Sequence, residues 1–290
     1  MTSISCDFPL FTEFGTPLAD ALDRNVDSAL AEDVGSGDLT GLLVPADEIG
    51  KARIIVRDAA VLCGAPWLKA VMRRLDASIR VEWHYFEGAL MAANTPVCEL
   101  TGPARALLTG ERCALNFLQM LSGVATVTRS YVDAVAGTKA QILDTRKTLP
   151  GLRLAQKYAV RVGGGVNQRL ALYDGILIKE NHIAAAGGIG PVLDAARALN
   201  AGVSVQIEVE TLEQLDEVLR AGATSILLDN FSYDMMREAV RMTAGRAVLE
   251  VSGGVNMQTV RAIAQTGVDR ISIGSLTKDI KAVDYSMRMI

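Results

Sequence analysis

Aromatic side chains are scarce in this chain, at 5% of its 290 residues. Half of the residues are nevertheless hydrophobic, so Ala, Val, Leu and Ile must fill the core, as in α/β folds with buried parallel strands. Cysteine is also sparse: Cys6, Cys63, Cys98 and Cys113 stand far apart and make no CxxC pair. That spacing argues against a disulfide framework or a cysteine metal site and favours small buried thiols in a reducing compartment. Excess positive charge is missing as well. A net charge of −4 argues against non-specific nucleic-acid binding, so any basic cluster has to be local. No apolar run approaches the roughly 20 residues of a membrane span. Asp7 and Pro9 stand where a signal peptide would carry a basic segment and a long apolar one. The expectation is a soluble, cytoplasmic protein with no membrane or nucleic-acid partner.

The length allows one large domain or two, and the pattern along the chain changes near residue 140. Before it, Pro17–Asp33 reads as an amphipathic helix with Leu18, Leu22, Val26 and Leu30 on one stripe. Strand-like runs follow at 52–57, 81–86 and 96–100, with a helix over 66–75 between them. Residues 111–136 form a helical segment with Ser122-Gly123 as a candidate break. After residue 140, short apolar strands alternate with amphipathic helices. The strands are expected at 141–144, 175–178, 205–209, 225–228, 247–251 and 270–273. Repeated β-α units imply parallel strands with right-handed crossovers. Periodicity alone leaves an open doubly wound sheet possible. A barrel is favoured, because charged residues end nearly every strand, as they do when all βα loops converge on one face.

Those strand ends form three arcs. Arg146, Lys147, Arg169 and Lys179 make a cationic arc, and cations at buried strand ends are costly unless an anion meets them. Arg suits planar carboxylates, whereas Lys serves as a point charge on carboxylate or phosphate. Glu208 and Glu210, two apart on one expected strand, and Asp229 make an acidic arc that could hold Mg²⁺, or ion-pair with Lys147 or Lys179. Ser252-Gly253-Gly254 and Gly274-Ser275 make a glycine-rich arc at the last two strand ends, where barrels commonly bind phosphate. Of the two histidines, His84 reads as a packing or surface residue, and His182 as either a helix cap or a catalytic group.

With these residues in view, the chain resembles the quinolinate phosphoribosyltransferases, the decarboxylating family of NAD biosynthesis. The resemblance is carried by Glu32-Asp33 with Gly37-Asp38-Leu39-Thr40, and by Glu111-Arg112-Cys113-Ala114-Leu115-Asn116. Asp144-Thr145-Arg146-Lys147-Thr148 and Gly163-Gly164-Gly165 with Asn167 and Arg169 extend it. Leu177–His182, Leu228-Asp229-Asn230-Phe231 and Ser252-Gly253-Gly254 complete it. It implies an N-terminal α/β sandwich over 1–115 completed by 277–290, and an incomplete seven-stranded α/β barrel over 116–276. It further implies a homodimer in which each active site borrows Arg112 from the neighbouring subunit. Quinolinate would meet Arg112, Arg146, Arg169, Lys179 and Gln168. Phosphoribosyl pyrophosphate with Mg²⁺ would meet Lys147, Glu208, Asp229, Ser252, Gly253, Gly254, Gly274, Ser275 and Lys278. Of these, Lys147, Glu208 and Asp229 would be catalytic, and Glu208 and Asp229 would hold the metal, directly or through water.

The chain departs from the family pattern twice: Gln168 stands where relatives usually have His, and Lys278 where many have His. Gln can donate a hydrogen bond but cannot carry charge, whereas Lys keeps a cation for pyrophosphate. Two other readings stay open at this level. One is the molybdenum-transport-associated relative of the family, and the other is a non-catalytic barrel that binds anionic metabolites.

Overall fold

The computed structural model describes residues 8–290, so Cys6 and Asp7 lie outside the described residues. In chain order the strands begin with β1 (Ile49–Val56), β2 (Ala60–Val61), β3 (Arg80–Trp83), β4 (Leu90–Met91) and β5 (Thr95–Pro103). They continue with β6 (Gln141–Leu143), β7 (Gly175–Ile178), β8 (Ser204–Val209), β9 (Ser225–Asp229), β10 (Val248–Ser252), β11 (Arg270–Ser272) and β12 (Tyr285–Met289). The helices are α1 (Pro9–Glu13), α2 (Gly15–Asp33), α3 (Ala65–Leu75), α4 (Ala104–Ala134), α5 (Arg153–Val162) and α6 (Glu180–Ala186). After them come α7 (Ile189–Ala198), α8 (Leu212–Arg220), α9 (Tyr233–Thr243), α10 (Val260–Ala264) and α11 (Ser275–Lys278). Among the described residues no helix is long and apolar enough to cross a membrane.

The described residues divide into two compact units, one of 8–129, 148–164 and 276–290, the other of 130–147 and 165–275. A boundary at 115/116 would instead fall inside α4, which runs unbroken from Ala104 to Ala134.

In the first unit a four-stranded antiparallel sheet has the order β12-β1-β5-β3. Alternation puts Ala52, Ile54 and Val56 of β1 on its buried face, while Lys51 and Arg53 point outward onto Glu99 of β5. The C-terminal strand joins this sheet by pairing Ile54 with Met287 and Val56 with Tyr285. Cys63, Cys98 and Cys113 are buried and in no disulfide, as their spacing predicted. The break expected at Ser122-Gly123 is absent. Ser122 is instead a buried link, donating to the Cys63 carbonyl at 3.0 Å and sharing a 2.8 Å hydrogen bond with the Tyr285 hydroxyl. A Cβ on Gly123 would run into the Lys281 carbonyl oxygen, so the glycine there reflects a close approach rather than a bend.

The second unit is a parallel sheet in the order β6-β11-β10-β9-β8-β7. The seventh strand expected of the barrel is reduced to one bridge, Leu143 to Val166. The chain leaves the sheet there because Asn167 and the Gln168 N–H both turn to Asp144, at 2.6 and 2.9 Å. Helices follow the strands as the periodicity predicts. Thr211 and Gln214 cap α8 reciprocally, and α8 buries Leu215, Val218 and Leu219. Glu210 lies one residue past β8, with its N–H donating to Gln214 Oε1 at 2.7 Å. It therefore belongs to the helix start, and the expected pairing of Glu208 with Glu210 on one strand face does not form.

Candidate active site

Parallel strands bring their C-terminal ends to one edge of the second unit, and the residues expected of all three arcs, apart from Glu210, collect there. Behind β6, Thr145 Oγ1 accepts from the Lys147 N–H at 3.0 Å, tightening the turn that carries Arg146 and Lys147. Ser272 of β11 pairs with Leu143 of β6, which sets Gly274 beside this turn. A Cβ on Gly274 would lie 3.0 Å from Lys147 Cδ. The glycine thus leaves room for the lysine stem, and the Lys147 side chain remains exposed.

Arg169 is half-buried, with Nη1 donating to the Gly175 carbonyl at 2.8 Å. Burial first, and then the charge of Arg146, lower the pKa of its guanidinium. Two guanidinium groups close enough to repel one another form a site for a ligand carrying more than one negative charge.

The acidic arc is held against the cations. Lys179 Nζ lies 2.7 Å from Glu208 Oε2, the lysine side chain 48% exposed and the glutamate 13%. Asp229 has its pKa raised by burial and then by the charge of Glu208, while Lys179 and Lys147 pull it back. These four groups share one electrostatic neighbourhood. Asn230 Nδ2 donates to Asp229 Oδ2 at 2.9 Å, and the Asn230 backbone is left-handed, at φ +56°. Next to it, Ser252 leads into Gly253 and Gly254, both left-handed at φ +97° and +62°. A Cβ on Gly253 would collide with Asn230 Oδ1 and lie 3.3 Å from Asp229 Oδ1. Ser275 opens α11 just past Gly274.

Beneath this mouth the interior is polar rather than filled with branched apolar side chains. Gln168 Nε2 donates to Gln206 Oε1 at 3.0 Å, and Gln206 Nε2 donates to Glu250 Oε2 at 3.0 Å. Gln206, Glu250 and Asp144 are 5%, 1% and 0% exposed. Burial raises the pKa of Glu250, opposed by hydrogen bonds from Gln206 and Ser272.

Arg112 and Lys278 belong to the first unit. Arg112 lies on α4 with its side chain 58% exposed, and Lys278 pairs with Asp279 at 3.2 Å. His84 is exposed, which decides for the surface position over the packing one. His182 Nδ1 accepts from the Lys179 N–H at 3.0 Å, so this histidine is part of the cap of α6.

No group of three or more His, Cys, Asp or Glu gathers in metal-binding geometry among the described residues. The Glu208–Asp229 pair still fits Mg²⁺, which binds through one or two carboxylates and completes its shell with water and ligand phosphates.

Sequence reading missed Gln206 and Glu250 as parts of this site. The signal was present in the alternation of β8 and β10, where Gln206 shares a face with Glu208, and Glu250 with Ser252.

Family models match both parts of the chain. Quinolinate phosphoribosyl transferase, C-terminal domain, covers residues 124–288, and the N-terminal domain of the same family covers residues 38–122. A probable nicotinate-nucleotide pyrophosphorylase (carboxylating) of Bacillus subtilis is 42% identical over 257 residues, 88% of this chain and 89% of the relative. The nicotinate-nucleotide pyrophosphorylase (carboxylating) of Mycobacterium leprae is 42% identical over 92% of this chain and 97% of its own. Among solved structures, the nicotinate-nucleotide pyrophosphorylase from Francisella tularensis superposes with a TM-score of 0.91 at 45% identity, covering 93% of this chain and 96% of that one.

Proposed function

We propose, for a chain that belongs to the quinolinate phosphoribosyl transferase family, a division of labour among the residues at the barrel mouth. The enzyme transfers phosphoribosyl from phosphoribosyl pyrophosphate to quinolinate with decarboxylation, giving nicotinate mononucleotide, CO₂ and pyrophosphate. The observation that carries the assignment of roles is that half-buried Arg169 feels the charge of Arg146 at the same strand-end edge as the Lys179–Glu208–Asp229 cluster.

In this reading the two guanidinium groups and Lys179 hold the carboxylates of quinolinate, with Arg112 of a neighbouring subunit completing the set. Quinolinate is planar and doubly negative, which suits fork-like donors. Glu208 and Asp229 face the ribose, where positive charge develops at C1′ as pyrophosphate departs and the ring nitrogen attacks. Their negative charge is set in place before the reaction, so it favours that transition state over the ground state. Lys147, Ser252, Gly253, Gly254, Gly274, Ser275 and Lys278 meet the phosphates. Glu208 and Asp229 would hold Mg²⁺, directly or through water; when bound, the ion neutralises charge on the leaving pyrophosphate. Once the ring nitrogen is alkylated it withdraws electrons, and the adjacent carboxylate leaves as CO₂. No step needs a general base, in keeping with His182 being engaged in a helix cap. We also place the enzyme in the cytoplasm as a homodimer.

The test is direct. Protein, quinolinate, phosphoribosyl pyrophosphate and Mg²⁺ should together yield nicotinate mononucleotide. Absence of product, or product formed equally well from nicotinate, would overturn the reading.

A further inference from the structure

The floor of the barrel offers an inference that rests on the quinolinate site proposed above. Gln168 directly precedes Arg169, and its side-chain amide runs into the interior. There it donates to Gln206 at 3.0 Å, and Gln206 donates to Glu250 at 3.0 Å. In this chain Gln206 presents Nε2 to a carboxyl oxygen of Glu250 and Oε1 to Gln168, which in turn presents Nε2. On its other side the Gln168 N–H and the Asn167 amide both donate to Asp144, at 2.9 and 2.6 Å. Gln206, Glu250 and Asp144 are all nearly or fully buried. Residue 168 is therefore anchored twice, through its backbone and through its side chain, to groups that water cannot reach.

We propose that Gln168 is a positioning residue: the Gln168–Gln206–Glu250 chain fixes the segment that aims Arg169 at the dicarboxylate. The physical reason is local. Arg169 has one backbone tether, at the Gly175 carbonyl, and it leaves the sheet just past the single bridge at Val166. No strand ladder among the described residues holds residues 167–169. In place of a ladder, the buried amides supply the register of this segment. Loss of the chain would leave Arg169 present but poorly aimed, and a bidentate contact to a planar carboxylate tolerates misaiming badly.

The experiment is a double-mutant cycle on quinolinate binding to the full-length protein, read by titration calorimetry, with Gln168→Met, Gln206→Met and the double variant. Each single variant should raise the quinolinate Kd roughly tenfold, the scale of one buried hydrogen bond. The double variant should also lie near tenfold rather than near a hundredfold, because both changes cut the same chain. The KM for phosphoribosyl pyrophosphate should stay within about twofold of wild type, since the amides of Gln168 and Gln206 bond along the chain to Glu250 while β10, which leads into the phosphate-side glycines, keeps its own strand pairing. Gln168→Asn, which keeps an amide but falls short of Gln206, guards against a folding artefact in the interior variant and should match Gln168→Met. Weakening in Gln168→Met alone, with Gln206→Met unaffected, would put Gln168 directly on the substrate and overturn the proposal. Equal losses for both substrates would overturn it too, by making the floor a general support. Wild-type protein that binds no quinolinate would instead sink the functional reading beneath it.

Discussion

Replacing Gly253 by Ala tests the phosphate-side geometry most sharply. Two costs are expected. Gly253 has φ +97°, and an L side chain in left-handed backbone costs about 1–2 kcal/mol. The new methyl would also meet Asn230 Oδ1, and an atom at the end of an amide can only avoid it by rotating that amide. Rotation breaks the 2.9 Å hydrogen bond that Asn230 gives to Asp229. A hydrogen bond to a charged group is worth about 1.5–3 kcal/mol, so the kcat/KM for phosphoribosyl pyrophosphate should fall between about tenfold and a hundredfold.

Gly245→Ala separates the two costs. Gly245 is also left-handed, at φ +76°, but a Cβ there meets nothing within 4 Å. It stands between α9 and β10, at the strand end away from the mouth. This variant should lose about 2–8 °C in Tm, from roughly 2–4 °C per kcal/mol, and keep its activity at 25 °C. Steady-state kinetics and a thermal melt on both variants suffice. If Gly253→Ala turned over within about threefold of Gly245→Ala, the Gly253–Asn230–Asp229 packing would have no part in the chemistry and the reasoning would fail.

Other predictions concern assembly, metal and pH. Arg112→Ala and Arg146→Ala should each be nearly inactive, yet mixing them with subunit exchange should restore about a quarter of the sites if Arg112 serves the neighbour's site; no recovery would mean that each chain uses its own. Chelation should abolish turnover, and added Mg²⁺ should restore it. The melting temperature of ligand-free protein should hardly move, because two carboxylates without a phosphate retain the ion poorly. Burial raises the Glu87 pKa from 4.5 to about 7, despite its hydrogen bonds from the Gly64 and Ala65 N–H groups at the start of α3. The native state then holds a proton that the unfolded chain releases. Stability should therefore fall as pH rises from about 4.5 to 7, and Glu87→Gln should flatten that slope in a series of melts. Glu99 runs the other way. Hydrogen bonds from Lys51 and Arg53 lower its pKa to about 2, so its contribution is present above pH 4.5 and is lost as pH falls towards 2.

How much of this was legible in the sequence varied with the physics at each place. β7 matches its expected bounds, Gly175–Ile178, because an apolar run between turn residues is a local signal. The strand ends were readable for the same reason, since a charge following buried residues is visible without a fold. Gly123 misled because a glycine in a helix reads as a weak point, whereas here it answers to a carbonyl 158 positions along the chain, at Lys281. The thinning of the seventh strand to Val166 was likewise hidden, being decided by Asp144 capturing Asn167 and Gln168. Glu250 reads as an interruption of the run from Val248 to Val251 until Gln206 is brought opposite it.

The same contacts explain how a mouth so rich in charge can exist before substrate arrives. Lys179 and Glu208 pair at 2.7 Å, with the lysine about half exposed and the glutamate mostly buried. Turning the lysine to a substrate carboxylate therefore leaves a mostly buried carboxylate that another cation has to meet. Arg169 stands differently, since burial and then the charge of Arg146 lower the pKa of its guanidinium. A dianion entering between them removes a repulsion as well as adding an attraction, so affinity should depend on the second negative charge more steeply than on the first. A ring bearing only one carboxylate would leave that repulsion partly unrelieved. On this argument nicotinate, even at high concentration, should compete with quinolinate only weakly. Equal competition by the two would mean that the Arg146 and Arg169 guanidinium groups are not what recognises the substrate.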